Sequence, residues 1–102
     1  MTPRVGQTLI STVDGTAVIV LRVPTADLTI TCGGAEMVDA RRPPGALGVP
    51  DPEQSGGALL GKRYADEEIG IELLCTKGGT GTLAVNGAPL PVKDAKPLPA
   101  SD

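Results

Sequence analysis

The chain is written in short apolar runs separated by turn residues. Stretches rich in Val, Ile, Leu and Thr alternate with breaks built from Gly, Pro, Asn and Asp. Nowhere do apolar residues recur at the i, i+3, i+4, i+7 spacing of a helix face. Leu9-Ile10-Ser11-Thr12-Val13 leads into Asp14-Gly15, and Thr16 to Val23 follows. Asp-Gly between β-branched runs signals a tight hairpin, because a type I′ turn needs positive φ at both central positions. Pro24 to Asp27 makes a second break, and Leu28 to Cys32 a third strand that Gly33-Gly34 ends. Residues 8–32 therefore read as a three-stranded meander. A second block contains Ala58 to Tyr64, Ile69 to Thr76 and Thr80 to Val85, then the hairpin signal Asn86-Gly87 and a last run, Ala88 to Val92. The expected fold is all-β: one small domain, residues 1–93, of six to seven short antiparallel strands in two meanders. The Pro/Gly-rich segment 43–57 joins them as a mobile loop, and residues 94–102 form a flexible C-terminal tail.

Composition narrows the chemistry. The 102 residues include no His, Trp or Phe and a single Tyr, and the net charge is −3. Without imidazole the chain lacks the usual general base and the commonest metal ligand. Without aromatics it lacks the stacking platforms of single-strand nucleic-acid binders, and an acidic balance is the wrong sign for a phosphate backbone. No apolar run approaches the roughly 20 residues of a membrane helix. The N-terminal residues show no signal-peptide core. Two cysteines are too few for a disulfide framework, so a cytoplasmic protein with reduced thiols is expected. Val, Ile and Leu make up about a quarter of the chain, enough for a folded domain whose core is almost wholly aliphatic.

Few side chains can carry a reaction. Cys32 and Cys75 are the candidate metal-ligating or redox residues, and Cys75 has Lys77 two positions on, on the same side of an ideal strand. A structural zinc site wants four ligands, so two thiols would need carboxylates beside them. No cofactor is expected, zinc or iron being the metals the thiols would take. Lys77-Gly78-Gly79-Thr80-Gly81-Thr82 has the glycine content of an anion nest, but Lys precedes the glycines and a strand, not a helix, follows, so the segment reads as a turn. Asp66-Glu67-Glu68 reads as a solvated acidic turn, and Arg41-Arg42 as a small anion contact. The Pro-rich segments 41–52 and 89–99 suit docking on another protein.

Residues 8–38 resemble the desulforedoxin-type, rubredoxin-like iron proteins, in which a Cys-x-x-Cys-Gly knuckle is followed by a short β segment and Cys-Cys-Gly-x-x-Met. The corresponding stretches here are Ser11-Thr12-Val13-Asp14-Gly15 and Cys32-Gly33-Gly34-Ala35-Glu36-Met37. The resemblance places Cys32 on one ligand position and Ser11, Asp14 and Gly33 on the other three. It implies a knuckle fold whose metal has been lost, since a tetrathiolate centre needs four cysteines. The expected function is a non-catalytic accessory protein that associates with a larger protein or with itself, binding neither nucleic acid nor membrane. The alternative is a metal-binding or redox module using Cys32 and Cys75.

Overall fold

The computed structural model describes residues 2–42 and 48–93. Among these residues the fold is all-β, with nine short strands in two antiparallel sheets. In chain order the strands are β1 (Thr8–Ile10), β2 (Ala17–Arg22), β3 (Ile30–Cys32), β4 (Ala35–Glu36), β5 (Val38–Asp39), β6 (Arg63–Asp66), β7 (Ile71–Lys77), β8 (Leu83–Val85) and β9 (Ala88–Pro89). One sheet has the order β5-β1-β2-β7-β6, the other β4-β3-β8-β9. Among the described residues no helix is long and apolar enough to cross a membrane. The expected tail, 94–102, lies outside the described residues.

The period-two pattern fixes which side chains meet. Along β7, Ile71, Leu73 and Cys75 are buried and join Leu9, Val18 and Val20 of the same sheet. Ile30, Cys32, Leu83 and Val85 of the second sheet complete one shared core. Each fully buried aliphatic side chain contributes about 1.5–3 kcal/mol relative to its exposed state. Tyr64, the only aromatic, is buried too, and its hydroxyl accepts a hydrogen bond from Leu59 N at 2.9 Å. That bond satisfies a polar tip inside an apolar setting. Glu72 points away from the core yet is only 5% exposed. Lys93 Nζ donates to its Oε1 at 2.8 Å and Arg63 lies 3.6 Å from Oε2. The Lys93 hydrogen bond leads in holding the Glu72 carboxyl below the usual range, against the desolvation that would raise it.

Several placements differ from the pattern-based expectation. Residues 8–32 supply three strands, but only β1 and β2 pair with each other; β3 pairs with β4 and β8 in the other sheet. The Pro24–Asp27 break carries the chain across the core instead of turning it back. Asp14-Gly15 is no type I′ turn, since neither residue has positive φ. A six-residue loop spans Ser11 to Thr16, closed by Ser11 N donating to Thr16 O at 2.9 Å. Asn86-Gly87 does have both φ values positive, 51° and 85°, as its sequence signals. Residues 58–62 form a bridge and a turn, not a strand, because Gly61 adopts φ +82° and Lys62 N closes on Leu59 O.

The 43–57 loop is irregular apart from one 3-10 turn at Pro52–Gln54, and where it is described it is hydrogen-bonded to its neighbours. Gly48 N donates to Thr12 O, Asp51 N to Gly33 O, Gly57 N to Thr80 O, and Gln54 O accepts from Thr82 N. Residues 43–47 of that loop lie outside the described residues. One sheet edge is covered as well. Tyr64 bridges to Val92, Ala65 N donates to Pro91 O and Lys93 N to Arg63 O, so residues 91–93 cover the outer side of β6. At the opposite edge Arg42 N caps Asp39 O at 2.9 Å. Such covering blunts the β6 edge as a template for edge-to-edge pairing.

Candidate functional site

The four positions that the desulforedoxin resemblance groups lie together at one end of the fold. Ser11 Oγ accepts from Val13 N and Asp14 N at 3.1 and 3.2 Å, shaping the loop that carries Asp14. Asp14 Oδ1 accepts from Thr16 N at 2.9 Å and lies 3.8 Å from the Cys32 thiol, which donates to it. Asp14 Oδ2 accepts from Thr80 N at 3.0 Å and Gly81 N at 2.8 Å. Gly33 N donates to Thr82 O, closing the same corner. The glycine-rich segment is therefore a turn and an anion nest at once, and the anion it holds is the chain's own carboxylate. Burial pushes the Asp14 carboxyl up, but the N–H groups of Thr16 and Gly81 outweigh it and lower the pKa to about 2.

This corner is built to close tolerances. A Cβ on Gly79 would strike Thr16 Oγ1 and the Asp14 carboxylate, and one on Gly81 would lie 2.6 Å from Gly33 N. Thr16 Oγ1 is buried beside the carboxylate with no hydrogen-bond partner among the described residues. The acceptor capacity of Asp14 is directed at N–H and S–H donors of its own chain, which makes it the hub of a fold element.

The two thiols are also turned inward. Cys32 is fully buried, and Cys75, 1% exposed, donates to Lys77 O at 3.1 Å. Desolvation raises both thiols above the ordinary cysteine value. Cys75 and Lys77 are thus joined through a carbonyl, and Lys77 supplies no cation to activate the sulfur. Among the described residues no group of three or more His, Cys, Asp or Glu side chains is arranged to hold a metal ion. In native protein both thiols are expected to react with Ellman's reagent at least about a hundredfold more slowly than in denaturant. Equal rates in the two conditions would contradict this burial.

The other sequence-level suggestions separate. Asp66 Oδ1 caps its own turn by accepting from Glu68 N and Ile69 N at 2.9 and 3.1 Å. Arg41-Arg42, by contrast, lines an open cleft on the surface. Two cleft lobes of about 490 and 690 Å³ share Arg4, Gln7, Asp39 and Arg41. The first lobe extends over Val5 and the second over Glu36 and Arg42. These volumes fall in the range of ligand-binding clefts.

Gln7 and Asp39 stitch the cleft walls together. Gln7 Oε1 accepts from Arg4 N at 3.1 Å, and Gln7 N donates to Arg4 O, fixing the first turn. Gln7 Nε2 donates to Asp39 Oδ2 at 2.8 Å across the cleft floor. Asp39 Oδ1 accepts from Arg41 N at 2.8 Å and faces Arg41 Nε at 3.4 Å. The Arg41 N–H leads, with Gln7 second, in holding the Asp39 carboxyl at about 2. Arg41 is thereby committed to Asp39, whereas Arg4 and Arg42 make no ion pair among the described residues. Sequence spacing alone points to Arg41-Arg42; the contribution of Arg4, more than thirty positions earlier, depends on the pairing of β1 with β5. No protein-family profile matches this chain, and no curated protein or solved structure matches it.

Proposed function

We propose that this chain is a non-catalytic, cytoplasmic binding module that associates with a larger protein through the cleft between residues 4–8 and 36–42. The observation that carries this reading is a division of labour. Asp14, Cys32 and Cys75 direct their chemistry into the fold, while Arg4 and Arg42 face an open, pre-formed cleft. Preorganised walls lower the ordering cost of binding. In this reading the protein works without a cofactor and contacts neither nucleic acid nor membrane. A metal or redox role for Cys32 and Cys75 has less support, because both thiols are buried, hydrogen-bonded and raised in pKa.

Photo-crosslinking in the native host tests the proposal. A benzophenone side chain placed at position 5, 67% exposed beside the arginines, is expected to give one discrete adduct with a larger protein. Adding Arg4→Glu and Arg42→Glu should abolish that adduct. No adduct from position 5, or an adduct insensitive to the charge reversals, would overturn the reading.

A further inference from the structure

We infer that the cleft takes an acidic peptide segment, with carboxylates seated on Arg4 and Arg42 and an adjoining apolar side chain on Val5; this rests on the binding-module reading above. Three of the chain's nine Lys and Arg residues line this one cleft, in a protein whose net charge is negative. Of the three, Arg41 already faces Asp39 at 3.4 Å. That contact spends the Asp39 charge inside the wall. Among the described residues, the cleft lining then leaves two guanidinium forks without an ion pair, facing one further carboxylate, Glu36. A guanidinium presents paired N–H donors that match a carboxylate bidentately. Val5 adds an exposed apolar surface at the rim, which favours a ligand with side chains over a bare inorganic anion. A nucleotide base would find no stacking partner, because the one aromatic, Tyr64, is buried in the core. Three arginines also fall short of the cluster of basic residues that holds a protein to an anionic membrane.

The inward bonds of Gln7 tie the two walls together without adding charge. Its amide caps the Arg4 turn and reaches the Asp39 carboxylate that caps the Arg41 turn. Gln7 is therefore a positioning residue for both arginine-bearing walls.

The test is an NMR titration of the full chain with three capped hexapeptides alternating leucine with glutamate, glutamine or lysine. The glutamate peptide is expected to bind at least about tenfold more tightly than the glutamine one and to shift amides in 4–8 and 36–42. Its affinity should fall as salt rises, as screening requires. Arg4→Ala with Arg42→Ala should remove most of that preference. Gln7→Ala should weaken glutamate-peptide binding about threefold with an unchanged salt slope, since no charge is lost. If the glutamine or lysine peptide binds the same amides as tightly, the cleft is a binding site but the acidic assignment is overturned. If no peptide perturbs 4–8 or 36–42, both the assignment and the binding-module reading of this cleft fall.

Discussion

Asp14→Ala is expected to cost about 3 kcal/mol of folding stability. The carboxylate accepts from three backbone N–H groups and one thiol. Removing it strands those donors in a corner that Gly79 and Gly81 keep too tight for easy rearrangement. For a domain of this size that loss lowers the thermal midpoint by roughly 15 °C. The same bonds make wild-type stability depend on pH. The folded carboxyl titrates near 2, below its ordinary 3.8. Its stabilisation is therefore complete above about pH 4 and fades as pH falls toward 2. With discounting for partial solvation, that component is on the order of 1–2 kcal/mol. Denaturant titrations of both proteins at pH 6 and pH 2.5 check this. A variant within about 1 kcal/mol of wild type at pH 6 would show that the hub stabilises little.

Gly81→Ala is the second large effect, about 2–3 kcal/mol of destabilisation, in the range of overpacked sites. The new methyl would lie 2.6 Å from Gly33 N, 2.8 Å from Cys32 Sγ and 2.9 Å from Gly33 Cα. Two of those three neighbours are backbone and cannot swing aside. Gly15→Ala is the matched control. Nothing lies within 4 Å of its added carbon and its φ is not positive, so stability should change by no more than about 0.5 kcal/mol. Equal effects at the two positions, measured by chemical denaturation, would mean that the corner is looser than its geometry.

The β class is legible because burial on one face writes a period of two into β2 and β7. Asn86-Gly87 was legible for a local reason: only a turn with two positive φ values suits it. Asp14-Gly15 carries the same local signal and adopts another structure, because Asp14 is claimed by donors 66 and 67 residues away. A dipeptide rule has no access to such a partner. The same cause explains the short β8. Residues 79–82 are drawn off to hold Asp14 and the 54–58 segment, so the strand begins at Leu83. The strands β4 and β5 were invisible because each has two residues and exists by pairing with β3 and β1. As for the sites, the sequence displays the cysteines, the glycine-rich nest and Arg41-Arg42. It does not display that the nest's anion is internal, or that Arg4 joins Arg41-Arg42 through Gln7 and Asp39. Those facts follow from strand pairing across long sequence separations.

A ¹³C titration of the Asp14 side-chain carboxyl tests most directly whether this chain directs its reactive groups into its own fold. The expected midpoint is about 2, with the amide protons of Thr80 and Gly81 shifting in the same transition. A midpoint near 3.8 with those amides unmoved would mean that the carboxylate is free and the nest is open to another anion.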